Sequence, residues 1–322
     1  MQAVRFHRYG EPGQVLSLED VPVPAPRPDQ MLIRLTARPV NPSDLLYVRG
    51  RYGRAARFPA VAGFEGVGVV TAASALGGPP EGTRVAVSVT GTWQEYIAAT
   101  EEEVIAVPDD LPDETACQLT VNPPSARLLL DELALRPGEW LLLTAGASSV
   151  SRMIIDMARQ RRVRCLPLVR RQADVRRLRE FGAREALDTS HASWPRFVQE
   201  ITGGGAQAAI DSVGGPVGRA VLDCLRPGGQ MIVFGLLADE PLPCPPDRLI
   251  FHSLSVRGFW LPERLRALGP EGRGRLTDAV VRDLVEGRVR APVAARHDLA
   301  EVHEAVRPDG PRDRWGKTLL TA

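Results

Sequence analysis

The chain has 322 residues, of which 44% are hydrophobic and 5% aromatic, and its formal net charge at pH 7 is +1. This length suffices for two domains with separate cores, and the near-neutral charge argues against binding to nucleic acid or a membrane surface. None of the four cysteines forms a C-x-x-C pair, so neither a zinc lobe nor a redox pair is indicated. The N-terminus lacks the apolar core of a signal peptide and no apolar run could span a bilayer, so we expect a cytoplasmic protein.

Residues 1 to about 110 predict a β-rich domain. Short runs of β-branched or alternating character, VLSLED, QMLIRLTA, GVGVVTAA and TRVAVSV, are separated by segments rich in proline and glycine. A helical period first appears in DETACQLTVNPPSARLLLDEL. We interpret this part of the chain as a small barrel or sandwich.

From about residue 137, predicted strands alternate with predicted helices. EWLLLTA, VRCLPLVR, AQAAIDSV, GQMIVFG and LSVRGFW are strand-like, and SSVSRMIIDMARQR, QADVRRLREFGA and PVGRAVLDCL are helical. This alternation predicts a parallel sheet with helices on both faces, and therefore an α/β fold. An amphipathic helical stretch follows from LPERLRALG onwards, and the final strand, GKTLLTA, is expected to return to the first domain.

The segment LLLTAGASSVSR lies where a dinucleotide-binding loop is expected. The usual pattern is G-x-G-x-x-G, but Gly146 is the only glycine here, and alanine and serine fill the other places. Small residues still allow a phosphate to approach, and serine hydroxyls can bond phosphate or cap a helix. The loop alone leaves two interpretations open, a nucleotide-binding loop and an ordinary strand-to-helix turn.

Arginines at the end of the next predicted strand favour NADP. Many NAD-binding folds place Asp or Glu about 20 residues past the loop, to bind the ribose 2′-hydroxyl. This chain has Arg170 and Arg171, which suit a 2′-phosphate, although both could be exposed charges in an arginine-rich chain. Further along, Gly235 ends a strand where a cofactor could approach, whereas Gly228 and Gly229 are typical turn glycines.

Motifs over nearly the whole chain resemble the medium-chain dehydrogenase/reductase superfamily. They include VNPSDLLYVRG, FPAVAGFEGVGVV, GTWQEYIAA, DSVGG and RGFW. TVNPPSARLLL, the loop form A-x-x-S-x-V, LVRR and RGFWL are most similar to its 2-enoyl thioester reductases of the mitochondrial enoyl-acyl-carrier-protein type, and next to its quinone oxidoreductases. The resemblance implies a GroES-like β-barrel domain over residues 1–115 and 263–322, and a Rossmann NADP-binding domain over residues 116–262. It also implies a homodimer and a cleft site between the domains.

The zinc ligands of related enzymes are replaced in this chain. Zinc-dependent relatives use a cysteine in a C-x-x-D segment and a histidine in G-H-E, and the matching residues here are Asn41 and Phe64. Cys117 falls near the third ligand position, but one thiolate does not make a zinc site. We therefore expect no metal, and Cys117 to be a buried cysteine.

The resemblance also implies a reaction and a proton donor. Reduction of an enoyl thioester requires a hydride at Cβ, supplied by NADPH, and a proton at Cα. A tyrosine phenol stays protonated at neutral pH, and Tyr52 in R-G-R-Y-G matches the family's catalytic tyrosine. The alternative for Tyr52 is a loop tyrosine without a catalytic role. Tyr47 is expected to be a packing residue of a helix.

Several residues match family positions that contact NADPH. Asn122 corresponds to an asparagine at the nicotinamide end, and Lys317, the sole lysine, to a lysine that reaches the cofactor. Helix capping and a surface charge are the respective alternatives. The remaining matches are Gly146, Ala147, Ser148, Ser149, Val150, Arg170, Arg171, Phe234, Gly235, Leu236, Leu237, Phe259, Trp260 and Leu261. The chain departs from the family at Ser151, which replaces the last loop glycine, and at Arg152, which opposes the helix dipole.

Three functions are compatible with these observations. The first is an NADPH-dependent 2-enoyl thioester reductase, the second an NADPH:quinone or general enone oxidoreductase, and the third a non-catalytic nucleotide-binding protein. The expected partners of the enzyme are a small-molecule thioester or enone substrate and a second copy of the chain. The sequence leaves open the acyl-chain length and the choice between coenzyme A and acyl carrier protein.

Overall fold

The computed structural model describes residues 1–307 and 315–321. Contacts divide the chain into two units. Unit 1 comprises Met1–Pro123, Val280–Glu286 and Ala291–Ala322, and unit 2 comprises Pro124–Ala279 and Gly287–Arg290. No helix in the described part of the chain has both the length and the apolar character needed to cross a bilayer.

The strands and helices of the described residues are numbered in chain order. The strands are β1 Gln2–Phe6, β2 Ser17–Asp20, β3 Gln30–Pro39, β4 Ala60–Val61, β5 Glu65–Ala72, β6 Arg84–Ser88, β7 Tyr96–Thr100, β8 Val104–Ala106, β9 Trp140–Leu143, β10 Arg164–Val169, β11 Leu187–Asp188, β12 Ala206–Asp211, β13 Leu225–Val233, β14 Ser255–Gly258, β15 Val293–Asp298 and β16 Lys317–Thr321. The helices are α1 Pro12–Val15, α2 Pro42–Val48, α3 Asp113–Ala116, α4 Asn122–Leu133, α5 Ser149–Gln160, α6 Gln172–Phe181, α7 Trp194–Thr202, α8 Gly215–Asp223, α9 Pro246–Phe251, α10 Leu261–Val285 and α11 Val302–Ala305.

Unit 1 is built on two sheets. The larger has the order β15-β16-β3-β5-β6-β8, with β7 paired to β3, and the smaller has the order β2-β1-β4. Alternate residues of β3, namely Met31, Ile33 and Leu35, are fully buried, as the two-residue period of a strand requires. Strand β16 pairs antiparallel with β3, so the prediction that the final strand returns to the first domain is confirmed.

Unit 2 contains a six-stranded sheet in which every neighbouring pair is parallel. Its order is β11-β10-β9-β12-β13-β14, the arrangement of a doubly wound Rossmann fold. Both faces of such a sheet are covered, which explains why Leu141, Leu142 and Leu143 are consecutive and all buried. The predicted fold class is confirmed. The order reverses between β9 and β12, and ligands of this fold bind at that point, beyond the carboxyl ends of the strands.

Local structure differs from the sequence prediction in several places, of which three bear on the fold. The helical stretch predicted over residues 113–133 is broken into α3 and α4 by a turn. Helix α7 was not predicted, since it is short, and its core contacts are made by only a few residues, including Trp194 and Val198. Helix α10 is kinked at Gly269, which has φ 64° and precedes a proline, a position that disfavours the helical conformation.

Gly146 packs against β10 so closely that a side chain would not fit. An added Cβ would lie 2.5 Å from Pro167 Cβ and 2.9 Å from the Leu168 nitrogen. We expect Gly146→Ala to lower the free energy of unfolding by about 1–3 kcal/mol, the usual cost of overpacking. The control is Gly13→Ala, because a Cβ added at Gly13 meets no atom within 4 Å. Chemical denaturation of both variants measures the effect, and equal stability of the two would contradict the packing role.

Candidate functional site

The loop between β9 and α5 is ordered by its own serines. Ser148 is the N-cap of α5, and its Oγ accepts a hydrogen bond from the Ser151 nitrogen at 3.2 Å. The same hydroxyl donates to Ser151 Oγ at 3.0 Å. Ser151 is buried, so the place of the family's last loop glycine accommodates a serine whose hydroxyl is hydrogen-bonded.

The N-terminus of α5 presents backbone donors. Among the described residues, no oxygen accepts from the backbone N–H groups of Ala147, Ser149 and Val150. The first N–H groups of a helix lack intrahelical partners, and together with the helix dipole they form a site for an anion. This loop, at the carboxyl end of β9, therefore fits the pyrophosphate of a dinucleotide.

A hydrogen-bonded pair joins the two strands at the point where the sheet order reverses. Thr144 Oγ1 donates to Asp211 Oδ1 at 2.7 Å and accepts from the Ser212 nitrogen at 2.7 Å. The buried Asp211 carboxylate also accepts from the nitrogens of Val213 at 3.0 Å and Gly214 at 2.9 Å. These bonds fix the chain directions after β9 and β12. The sequence analysis named DSVGG only as a family motif, although an aspartate at the end of a buried strand was visible.

Arg152 lies in the interior of unit 2. Its side chain is 1% exposed, and its guanidinium carbon lies 5.9 Å from the centroid of the Phe181 ring. Arg290 stacks on the same ring at 3.5 Å and forms a bidentate pair with the buried Asp156. Burial lowers the pKa of Arg152 to about 10, so the group stays charged at neutral pH. Its charge is thus accommodated by packing on an aromatic ring and by the nearby carboxylate.

The two arginines after β10 differ in their surroundings. Arg171 forms a bidentate pair with Asp174, with distances of 2.8 Å to Oδ2 and 3.0 Å to Oδ1. Arg170 is exposed and makes no hydrogen bond or ion pair with the described residues. Arg170 is therefore the more available cation at the end of this strand.

The segment after β13 combines packing residues with exposed ones. A Cβ added at Gly235 would lie 2.6 Å from the Ser212 oxygen, so glycine is required there by the neighbouring backbone. Phe234 and the buried Phe259 meet edge to face at 5.8 Å. Leu236 and Leu237 are 49% and 58% exposed and so remain accessible to a ligand. Trp260 and Leu261 are half-buried.

Unit 1 contains a buried polar cluster centred on Glu65. Glu65 Oε1 accepts from Asn41 Nδ2 at 2.8 Å, and Glu65 Oε2 accepts from the nitrogens of Thr120 at 3.1 Å and Val121 at 3.0 Å. Burial raises the pKa of Glu65, and its hydrogen bond to Asn41 acts in the opposite direction. The other buried members of the cluster are Asp44, Asn122 and Lys317. Asn41 brings the last two together, since its Oδ1 accepts from Asn122 Nδ2 at 3.0 Å and from Lys317 Nζ.

Tyr52 packs among aromatic residues of unit 1. Its half-buried ring packs on Phe64, with 4.8 Å between the ring centroids. Phe64 also contacts Tyr47 at 5.3 Å, and Tyr47 is buried against Phe6 at 5.5 Å. Tyr47 is therefore a core residue, whereas the Tyr52 ring remains partly accessible.

Comparison with known proteins identifies the superfamily. A family model described as the alcohol dehydrogenase GroES-like domain matches residues 27–109, and one described as zinc-binding dehydrogenase matches residues 150–270. The mitochondrial enoyl-[acyl-carrier-protein] reductases of Mus musculus and Homo sapiens are each 30% identical over 332 residues, covering 100% of this chain and 88% of theirs. The chain belongs to the medium-chain dehydrogenase/reductase superfamily. Within this superfamily of oxidoreductases it groups first with the 2-enoyl reductase branch and next with the quinone oxidoreductases.

Solved structures of this superfamily share the whole fold. The quinone oxidoreductase of Pseudomonas syringae is 25% identical, with a TM-score of 0.91 over 100% of this chain and 99% of the other. A mycobacterial protein complexed with NADPH is 27% identical, with a TM-score of 0.89 over 100% of both chains.

The residues at the superfamily's zinc-ligand positions do not fit a zinc ion. Phe64 has no donor atom, and the side-chain oxygen of Asn41 already accepts from the Lys317 ammonium. Burial raises the pKa of the Cys117 thiol well above its usual value, so this group stays protonated and is a poor ligand.

The sequence analysis missed two carboxyl groups of unit 1, Asp44 and Glu65. Both stand in segments singled out for another reason, N-P-S-D and G-F-E, where attention went to the residues at zinc-ligand positions. A carboxylate inside an otherwise apolar segment was the available signal, because such a group is buried only when it is hydrogen-bonded or protonated.

Asp44 predicts a pH dependence of stability. It is fully buried, its Oδ2 accepts from the Asn41 nitrogen at 2.7 Å, and burial raises its pKa from 3.8 to about 8. Between about pH 4 and pH 8 the folded state therefore binds a proton that the unfolded chain releases, so this group makes the free energy of unfolding fall as pH rises.

We expect Asp44→Asn to remove this contribution. The Tm of the variant relative to the wild type should shift in favour of the variant as the pH rises from 5 to 8, as measured by calorimetry at several pH values. Asp20→Asn on the surface is the control. A Tm difference for Asp44→Asn that does not change with pH would show that Asp44 is ionised in the folded chain.

Proposed function

We propose that the chain is an NADPH-dependent reductase of the C=C bond of 2-enoyl thioesters. The observation that carries this proposal is the similarity to mitochondrial enoyl-[acyl-carrier-protein] reductases over the full length of the chain. The mycobacterial neighbour complexed with NADPH supports the cofactor. The proposed partners are a small-molecule substrate and, in a homodimer, a second copy of the chain.

The residues of unit 2 are suited to hold this cofactor. The backbone N–H groups of Ala147, Ser149 and Val150, which no oxygen in the described part of the chain accepts from, would bind the pyrophosphate, and Arg170 would bind the 2′-phosphate. The exposed Leu236 and Leu237 would line the same edge of the sheet. The remaining matched positions of unit 2 stay proposed contacts, although Gly146 and Gly235 are already required by the packing of the backbone. When bound, NADPH supplies a hydride to the substrate Cβ.

Tyr52 is proposed to complete the reduction. As Cβ gains its hydrogen, electron density moves to Cα and to the thioester oxygen, and Cα must then take a proton. A phenol remains protonated at neutral pH and can donate at that moment. Its ring is positioned by stacking on Phe64, which leaves part of Tyr52 accessible.

A quinone or enone oxidoreductase is the second candidate, and the similarity to the quinone oxidoreductase of Pseudomonas syringae favours it. A quinone places the added electrons on oxygen, which exchanges protons rapidly with water. Reduction of quinones should therefore depend little on Tyr52, and this difference separates the two candidates.

We expect Tyr52→Phe to lower kcat with crotonyl-CoA by about 10²- to 10⁴-fold, the usual contribution of a general acid. The dissociation constant of NADPH should not change. NADPH oxidation is measured with enoyl-CoAs, quinones and simple enones, and Tyr47→Phe is the control because that hydroxyl belongs to a core residue. Full activity of Tyr52→Phe on crotonyl-CoA would remove Tyr52 from the mechanism, and activity on quinones alone would favour the second candidate. Failure of the wild type to bind NADPH would indicate a non-catalytic protein or a decayed site.

Arg170 is expected to select NADPH over NADH. Arg170→Gln should raise KM for NADPH about tenfold or more, because a charge-assisted hydrogen bond to the 2′-phosphate is lost. KM for NADH should stay unchanged. Arg176→Gln removes the same charge from an exposed position of α6 and is the matched control. Equal effects of the two substitutions would show that Arg170 contributes only a general charge.

A further inference from the structure

Asn41 contacts three other members of the buried polar cluster of unit 1, namely Glu65, Asn122 and Lys317. Together with Asn41, these residues come from four separate parts of the chain. Glu65 begins β5, Asn122 begins α4, Lys317 begins β16, and Asn41 itself is the N-cap of α2. All four side chains are buried, so each hydrogen bond between them matters more than it would in water.

The orientation of the Asn41 carboxamide is determined by its surroundings. One side faces two donors, Asn122 Nδ2 and Lys317 Nζ, and the other side faces an acceptor, Glu65 Oε1. A flipped amide would place its NH2 group against the ammonium and its oxygen against the carboxylate. Because both contacts would then be repulsive, only one orientation satisfies the cluster.

This orientation in turn determines that of Asn122. Its NH2 group is bound to Asn41 Oδ1, so its own carbonyl oxygen must point away from Asn41. No described residue donates a hydrogen bond to Asn122 Oδ1. Asn122 thus presents an acceptor, and its ligand partner must be an N–H or O–H donor.

Glu65 and Lys317 both stabilise these orientations of Asn41 and Asn122. Glu65 Oε2 binds the backbone of Thr120 and Val121, the residues that lead directly into Asn122. Lys317 lowers the pKa of Glu65 through its charge, so the ammonium and the carboxylate stabilise one another on either side of Asn41.

We propose that Asn41 is a positioning residue that turns the carbonyl oxygen of Asn122 towards the carboxamide NH2 of the nicotinamide. Lys317, whose Nζ donates to Asn41 Oδ1, is assigned an indirect role through Asn41. This inference rests on the proposed function, because it assumes that the cofactor is a nicotinamide dinucleotide. Asn41 and Lys317 take no part in the reaction itself. According to this inference, they make the site prefer a cofactor whose ring carries a primary amide.

The test compares two ligands that differ in one group. In the 3-acetylpyridine analogue of NADP⁺, a methyl ketone replaces the carboxamide, so the NH2 donor is missing. Dissociation constants of NADP⁺ and of this analogue are measured by calorimetry on the full chain. We expect the wild type to bind NADP⁺ more tightly by roughly 2- to 10-fold, the equivalent of one hydrogen bond.

Substitution of Asn41 should abolish this preference. Asn41→Ala and Asn41→Ser are expected to bind both ligands equally, with the affinity that the wild type has for the analogue. The serine variant keeps an N-cap for α2 and so guards against a folding defect of the alanine variant. Gln118→Met, which removes a buried carboxamide that donates to the backbone oxygens of Glu114 and Ala291, is the control and should keep the preference.

Lys317→Met separates an indirect role from a direct contact. We expect it to reduce the preference for NADP⁺ while the affinity for the analogue stays unchanged, because only the orientation of Asn41 is disturbed. An equal loss of affinity for both ligands would show that Lys317 contacts the cofactor and would overturn its assigned role.

The outcomes distinguish this inference from the proposed function. A wild type that binds NADP⁺ and its analogue equally, or Asn41 variants that keep the preference, would overturn the inference and leave the proposed function standing. A wild type that binds neither ligand would overturn both.

Discussion

The buried carboxylate of Glu65 is the group on which the polar site of unit 1 depends. Its two oxygens connect the N-cap of α2, through Asn41, with the backbone that leads into α4. A buried carboxylate is costly unless it is hydrogen-bonded and compensated by charge, and Asn41, the backbone and Lys317 meet both requirements. The cluster is therefore held as a whole, since loss of any one partner would leave a buried polar group unsatisfied.

In unit 2, a smaller set of hydrogen bonds holds the chain at the ends of β9 and β12. Thr144 and Asp211 join the strands on either side of the point where the sheet order reverses, and the serines of the loop cap α5 in place of the usual glycines. The start of α5 still offers donors suited to an anion, because these are backbone N–H groups, which every residue except proline supplies. The unusual loop sequence therefore changes how the turn is stabilised. It has less effect on the backbone donors that the turn offers to a ligand.

Most of the fold could be predicted because it follows from local periodicity. The alternation of buried strands with amphipathic helices indicated a doubly wound sheet, and the final strand was assigned correctly to the first domain. The start of α4 was visible in the sequence, because prolines such as Pro123 favour the first turn of a helix. The contacts that hold the turn before it could not be predicted, because they come from Glu65, which is distant in sequence and binds the backbone at Thr120 and Val121. The need for glycine at position 235 was visible as a strand-end glycine, but its cause, contact with the Ser212 backbone, lies in another strand.

The sequence by itself determined the fold class, the superfamily and the candidate residue types, because those depend on patterns along the chain. Only the tertiary structure decided which of those residues share a hydrogen bond. Arg171 is already paired with Asp174, whereas Arg170 has no such partner among residues 1–307 and 315–321, a difference that the sequence of two adjacent arginines does not reveal. Lys317 and Asn41 are 276 positions apart, yet they meet in one buried cluster. The reason is physical: a buried polar group is satisfied by whatever partner the fold brings near it, and sequence separation does not limit that choice.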